Sequence, residues 1–296
     1  MIKTELGSGF VPKELFEHHV ELADKIIRSA LDEAKMKIKD IDVFSFSQGM
    51  GIPNALRVGA AVARFLSEKY KKPLVGVNHA IGHIEIGKLT TGSKDPVILY
   101  LSGGNTQVIA FAEGRYRIFG ETEDIPVGNC FDVIARDMKL PMPGGPQIEK
   151  IAKAGKYFEL PYVVKGMDLS FSGILTAAKE KLEVGVSKED VAYSMQETCF
   201  AMLTEVTERA LAHTGKDEVL LVGGVAANKR LQEMLNVMCE ERDAKLFFVP
   251  MQYASDNGVM IAWAGALSYA SGNKLKLENS GIKQKWRLDS VEVSWV

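Results

Sequence analysis

An α/β fold is predicted for this 296-residue chain by three observations. Segments with apolar residues at helical spacing alternate with short, continuous apolar runs of strand length. A block between residues 96 and 119 interrupts that alternation with three strand-like runs in succession. Glycine-bearing turns follow several of the runs, at the carboxyl ends of strands, where open α/β sheets take their ligands.

The first helix is expected from Leu15 to Ala34, with Pro12 at a first-turn position that tolerates its missing N–H. The strand-like run Val43 to Ser47 comes next, then a helix around Ala55 to Tyr70 and an apolar strand, Leu74 to Val77. The three successive runs are Val97 to Tyr100, Thr106 to Ala112 and Tyr116 to Phe119. Turns at Ser102-Gly103-Gly104 and Glu113-Gly114 make them a meander. Helical spacing returns at Phe131 to Met138, at Ile148 to Ala154 and over Lys188 to Thr214. Val219 to Val222 reads as a buried strand ending in Gly223-Gly224. A helix from Asn228 to Cys239, a strand from Leu246 to Val249 and a helix from Gly258 to Tyr269 complete the pattern. No low-complexity linker separates independent domains, so two lobes sharing one cleft are expected.

Hydrophobic residues at 46% and charged residues at 25% are ordinary globular values, which sets aside disorder, collagen and disulfide scaffolds. The 36 Lys plus Arg against 38 Asp plus Glu give a formal charge of -2. That is no footprint of strong independent nucleic-acid binding, so any RNA contact is local or shared. Cys130, Cys199 and Cys239 fall in no metal-ligand or redox spacing and read as buried small side chains in a reducing cytosol. The opening Met1-Ile2-Lys3-Thr4-Glu5 carries no apolar leader, and no run reaches the ~20 apolar residues of a membrane span. A cytoplasmic protein without membrane attachment is expected.

Several residues are suited to chemistry. His79 and His83 are four apart, so on a helix they share a face and their ring nitrogens can meet one ion. A satisfied pair of helix histidines has the same spacing, and Ala80 stands where a HExxH protease needs its Glu. Ser102-Gly103-Gly104-Asn105-Thr106 joins two strands and is either a phosphate-holding loop or an ordinary hairpin turn. Val222-Gly223-Gly224-Val225-Ala226-Ala227-Asn228 is a second glycine-bearing strand-to-helix junction. Pro143-Gly144-Gly145-Pro146 is a third such turn, with Glu149 one helical turn on and able to accept from ribose hydroxyls; a rigid connector with a solvated Glu is the alternative. Asp132 and Asp256 each stand near a glycine and a helix start, where Asp256 taken singly reads as an N-cap. His18-His19 read as packed or solvated, and His213 as a complement to a helix dipole.

Together these motifs form an ordered series that runs from Asn78-His79 through His83-Ile84-Glu85, Tyr100 to Gln107, Phe119-Gly120-Glu121-Thr122, Lys165 to Gly173, Gly223 to Asn228, Ser255 to Gly258 and Lys283 to Arg287. The series resembles the archaeal and eukaryotic catalytic subunits of the KEOPS complex, in the universal threonylcarbamoyltransferase family. It covers the chain from Phe10 onward, and the Lys165-Gly166-Met167-Asp168 form resembles the archaeal and eukaryotic branch.

The resemblance implies the actin-like ATPase fold, with two lobes around a nucleotide cleft. Residues 1–95 completed by 258–296 would form the first lobe and 96–257 the second. It implies one iron or zinc ion held by His79, His83 and Asp256, with Tyr100 completing the site. It places an adenine nucleotide, threonylcarbamoyl-AMP as substrate or ATP in its stead, against Tyr100, Leu101, Ser102, Gly103, Gly104, Asp132, Gly145, Glu149 and Asn228. The implied reaction moves the threonylcarbamoyl group to N6 of the tRNA adenosine beside the anticodon and releases AMP. The implied partners are tRNA and further KEOPS subunits, among them a small atypical kinase and a small dimerising subunit. No general base can be named from the residues.

Two departures from the family pattern carry expectations. The loop Gln48 to Arg57 has Met50 and Pro53-Asn54 where relatives of this type show a proline and a glycine-proline pair. The family's opening strands, with a first phosphate loop, are not in the sequence, so weaker nucleotide binding and an unpaired edge at Val43 to Ser47 are expected. Rival readings are an ATPase or kinase of the same fold, a nucleotide-binding pseudoenzyme or scaffold, and a metalloprotease. The histidine pair separates the first and the missing HExxH weakens the last.

Overall fold

The computed structural model describes residues 12–296. The opening segment Met1 to Gly9 lies outside the described residues. In chain order the elements are α1 (Pro12–Ala34), β1 (Phe44–Gly49), α2 (Pro53–Tyr70), β2 (Leu74–Asn78), α3 (His79–Thr91), β3 (Val97–Leu101), β4 (Thr106–Ala112) and β5 (Arg115–Glu121). They continue with α4 (Val127–Asp137), α5 (Gly144–Ala152), β6 (Val164–Lys165), β7 (Asp168–Leu169), α6 (Ser172–Glu183), α7 (Lys188–Thr214) and β8 (Glu218–Val222). The last are α8 (Lys229–Glu241), β9 (Lys245–Phe248), α9 (Met251–Ala254) and α10 (Gly258–Ala270). Two compact units result, one taking in the chain up to Ile86 together with Asn257–Val296, the other Gly87–Asp256.

In the first unit β1 and β2 pair in parallel, Phe44 opposite Leu74 and Ser47 opposite Val77. Among the described residues β1 has β2 as its one strand partner, so its other edge carries no strand. A core of Phe44, Phe46, Ala60, Ala63 and Leu74 forms where α2 lies on this pair. Pro53 opens α2 at its first turn, and Lys71 closes it in the left-handed region. The carboxyl-terminal segment is stitched to the strands by Gln48, whose amide donates to the carbonyls of Asn279 (3.0 Å) and Gly281 (2.8 Å), while the Lys283 N–H donates to the Gln48 carbonyl. An apolar hollow of about 830 Å³ borders α1, β1 and α2.

The second unit is built on a five-stranded sheet in the order β5-β4-β3-β8-β9. Its meander β3-β4-β5 is antiparallel, and β8 and β9 add to β3 in parallel. This is the mixed sheet expected from three successive runs followed by a strand, helix, strand alternation. The 27-residue α7 runs through the core of this unit. Ser187 caps it by accepting from the Asp190 N–H at 3.1 Å, and Gly215 ends it at φ +67°. Phe131 and Phe200 meet edge to face inside, at 5.6 Å between centroids. The three cysteines are free and buried, and burial pushes the Cys239 thiol up to about 11, as inert structural side chains require. Among the described residues no helix is long and apolar enough to cross a membrane.

Sequence periodicity does not reveal α6 or the two-residue strands β6 and β7. The α6 helix buries only Ile174 and Ala178, too narrow a stripe to stand out, and the hairpin is shorter than any alternation can register.

The two glycines after β8 have opposite structural status. A Cβ on Gly223, whose φ is +92°, would stand 2.2 Å from the Leu101 carbonyl oxygen, whereas one on Gly224 would meet nothing within 4 Å. Gly223→Ala is expected to destabilise the chain by at least about 1 to 3 kcal/mol, and Gly224→Ala by less than about 0.5 kcal/mol. Urea unfolding of both variants against the parent measures the difference.

Candidate functional site

At the end of β2 the Asn78 carboxamide performs two tasks. Its oxygen accepts from the N–H groups of Ala80 (3.0 Å) and Ile81 (3.4 Å), capping the first turn of α3, and its nitrogen donates to the Trp286 carbonyl at 3.0 Å. His79 is the first residue of the capped helix and His83 lies one turn on, with ring centroids 4.9 Å apart. His83 is buried, as are Ala80, Ile81 and Ile84 of the same helix.

The third member is Asp256, one peptide bond before Asn257. The N-cap role that the sequence suggested for Asp256 belongs to Asn257, whose side chain accepts from the Met260 N–H at 2.9 Å to start α10. One ligand atom each from His79, His83 and Asp256 lies within 4.8 Å of the others. Two imidazole nitrogens and a carboxylate oxygen converging in this way form a donor set that fits a borderline divalent ion. Asp256 is exposed, His79 is half-buried and His83 is buried.

Tyr100, on β3, is fully buried. Burial raises its phenol well above the usual value and the Asp256 charge adds to that, against hydrogen bonds with Ser102 and Asn105. The phenol therefore lies within electrostatic reach of Asp256. Leu101 is fully buried in the core, main chain included.

The loop after β3 is a self-bonded turn. Ser102 donates its N–H to the Asn105 carbonyl at 2.8 Å, and its hydroxyl accepts from the N–H groups of Gly104 (3.2 Å) and Asn105 (3.0 Å). At Gly103, Gly104, Gly145 and Gly224 a Cβ would meet no protein atom within 4 Å, and none of the four has a positive φ. Neither packing nor backbone strain in the protein accounts for glycine there. The backbone at these four positions is open to close approach.

Asp132, Glu149 and Asn228 are spent partly on the fold. Asp132 on α4 accepts from the Gly144 N–H at 2.7 Å and so closes the start of α5; burial raises its pKa, against the pull of the Gly144 N–H and Arg136. Glu149 accepts from the Lys229 N–H at 2.8 Å, while Asn228 caps the same helix, α8, at the Leu231 N–H and donates to Gln196 at 3.2 Å. Glu149 and Asn228, far apart in sequence, thus meet at one helix N-terminus.

Sequence reasoning missed Asp124. Its carboxylate accepts from the hydroxyls of Ser170 and Ser172, both at 2.6 Å, and from the N–H groups of Ile125 (2.6 Å), Phe171 (3.0 Å) and Ser172 (3.1 Å). It thereby fastens the Lys165 to Gly173 motif to the start of α4. Burial works against its charge, but these donors outweigh burial and hold its pKa far below the carboxylate range. A Thr-Glu-Asp run before Pro126 signals a helix start, yet the partners lie 46 to 48 residues away, beyond any local pattern.

A family model described as TsaD, tRNA N6-adenosine threonylcarbamoyltransferase, matches residues 1–263. A protein of that name from Thermococcus sibiricus is 57% identical over 296 residues, covering 99% of this chain and 91% of its own. One of the same name from Thermococcus kodakarensis is 56% identical, covering 99% and 90%. A "probable bifunctional tRNA threonylcarbamoyladenosine biosynthesis protein" from Methanosphaera stadtmanae is 56% identical over 293 residues, covering 99% of this chain and 54% of the relative. Among solved structures, HypF of T. kodakarensis superposes with a TM-score of 0.66 at 17% identity, over 86% of this chain and 44% of its own. A full-length HypF in a phosphate- and nucleotide-bound form gives 0.56 at 11% identity, over 72% and 38%. These structural likenesses speak to fold alone, and the fold is the actin-like ATPase class expected from the sequence.

The Asp124 clasp generates a pH dependence. Its folded pKa is depressed, so its contribution is complete above the unfolded value of about 3.9 and is lost as pH falls from there toward the folded value. Amide hydrogen exchange at Phe171 and Ser172 is expected to stay slow above about pH 4 and to gain protonation-driven openings below it. In Asp124→Asn exchange should already be fast at neutral pH.

Proposed function

The chain belongs to the TsaD family, the tRNA N6-adenosine threonylcarbamoyltransferases, and from that membership we propose that it moves the threonylcarbamoyl group of threonylcarbamoyl-AMP onto N6 of the adenosine beside the anticodon, in tRNAs reading codons that begin with A. The observation that carries the reading onto this chain's own residues is the convergence of His79, His83 and Asp256. A kinase or ATPase of the same fold has no use for a transition-metal donor set there, and a protease of the HExxH kind lacks its glutamate because Ala80 holds that place.

In this reaction a C–N bond forms between the adenosine amine and the carbamoyl carbon. The C–O bond to the phosphate breaks, AMP leaves with that electron pair, and the amine's proton passes to solvent. His79, His83 and Asp256, with Tyr100 beside them, would hold one iron or zinc ion. When bound, such an ion polarises the acyl phosphate and offsets charge on the leaving group. Gly103 and Gly104 would admit the phosphate to the backbone, with Ser102 contributing a hydroxyl contact. Glu149 has an oxygen left for the ribose after meeting Lys229, and Asp132, Gly145 and Asn228 frame the rest of the adenylate. An unpaired anticodon loop presents its base without breaking a duplex pair.

The setting that accompanies this role is the cytoplasm, with tRNA as substrate and KEOPS-type subunits, including a small atypical kinase and a small dimerising subunit, as partners. A chain of net charge -2 gains from partners that extend a basic surface.

The test is mass spectrometry of anticodon-loop nucleosides after incubating the chain and its partner subunits with threonine, bicarbonate, ATP and tRNA. Threonylcarbamoyladenosine should accumulate with the parent chain and fall to background with His83→Ala. Equal product with and without the chain would refute the assignment. In calorimetry, Glu149→Ala is expected to weaken adenine-nucleotide binding by about 1 to 3 kcal/mol. Unchanged affinity would place the nucleotide elsewhere.

A further inference from the structure

The second unit carries a hollow of about 280 Å³ built from residues that have no role in the transfer site, among them Tyr157, Tyr162, Tyr193, Thr198 and Met234. Tyr193, Glu197 and Thr198 come from consecutive turns of α7, Met234 from α8, and the other two tyrosines from the chain between α5 and β6. Three aromatic rings from two separate stretches of chain converge here, and two of them are about half exposed, Tyr157 at 57% and Tyr162 at 49%. A ring that serves only the core is covered by it, and these are not.

The acids around the rings are paired. Glu197, which also lines the hollow, is held by Arg230 through two bonds of 2.7 and 2.8 Å. Glu205 takes the Tyr162 hydroxyl and the Arg209 guanidinium, which fixes the Tyr162 ring and offsets the acid's charge. Along the sequence, residues 150–165 hold Lys150, Lys153, Lys156 and Lys165, all exposed, against Glu159 as the one acid of the stretch; Lys165 is paired with Glu123 at 3.3 Å, and the other three lysines stand in no ion pair among the described residues. Two of the tyrosines sit in that basic stretch. Thr198 is 4% exposed, and its hydroxyl has no hydrogen-bond partner among the described residues, so a buried donor and acceptor stands in the wall of the hollow unused.

Exposed aromatic faces beside a basic run are what single-stranded nucleic acid recognises, by stacking its bases and neutralising its phosphates. We propose that this hollow receives an unpaired base of the RNA substrate, stacked on the tyrosine rings, with the lysines of residues 150–165 serving the adjoining phosphates. The identity of the RNA rests on the transferase reading; the stacking site does not depend on the metal cluster. It gives this chain an RNA contact of its own that is local rather than a broad basic surface.

Fluorescence anisotropy with a labelled tRNA anticodon stem-loop, a single-stranded oligoadenylate and a fully paired RNA duplex tests it. The parent should bind the first two more tightly than the duplex. Tyr157→Ala with Tyr193→Ala should weaken that binding by about tenfold or more, and the corresponding Phe pair should retain it. If the double variant loses its cooperative melting, Tyr157→Ala alone serves, since that ring is mostly outside the core. Equal affinity in the Ala variant, equal binding of the duplex, or no RNA binding by the parent would overturn the proposal. Transfer activity measured in parallel separates the two readings. Tyrosine-dependent binding without transfer overturns the reaction and leaves the hollow, while transfer with tyrosine-independent binding does the reverse.

Discussion

The Asn78 carboxamide stands where β2 ends and α3 begins, and the candidate metal cluster depends on what it does there. It accepts from two N–H groups of the first helical turn and donates to the Trp286 carbonyl, so one side chain fixes both the start of the helix and the course of the carboxyl-terminal segment. A cap of this kind stabilises a helix by about 0.5 to 2 kcal/mol. Its larger consequence is directional: with α3 starting at His79, the i and i+4 positions put both imidazoles on one face. A start shifted by one residue would change the helical phase of neither histidine but would remove His79 from the ordered turn.

The second unit uses the same device at other helix starts. Asn228 caps α8 after β8, and Asp132 closes the start of α5 from a neighbouring helix. Polar side chains that hold backbone N–H groups also face the loops whose glycines leave open space. On the proposed reading, fold and ligand recognition would draw on the same atoms, and truncating Asn228 would lose its cap on α8 as well as the proposed nucleotide contact. Glycines divide along the same line. Gly128 and Gly144, where a Cβ would lie under 3 Å from backbone atoms, answer to packing, whereas Gly103, Gly104 and Gly145 answer to nothing inside the protein.

Most of the element order was legible because the relevant signals are local. The meander announced itself through Gly103-Gly104 and Glu113-Gly114, α7 through its long helical spacing between Ser187 and Gly215, and the HxxxH pair through spacing alone. What stayed hidden is long-range. The clasp of Asp124 on residues 170–172, the meeting of Glu149 with Lys229, and the convergence of three tyrosines from two stretches of chain have no periodic signature. Asp256 shows the limit of a local rule, since an Asp at a helix start invites an N-cap assignment and its neighbour Asn257 holds that role. The open space at the glycine loops likewise follows from the fold and not from the glycines themselves.

X-ray absorption spectroscopy of the purified chain at the iron and zinc edges bears most directly on the cluster of His79, His83 and Asp256. The expected spectrum has imidazole backscattering together with oxygen, at about 2.0 to 2.2 Å, from one ion per chain. A chain that retains no ion after exposure to either metal, or one whose ion is coordinated by sulfur without imidazole, would contradict it.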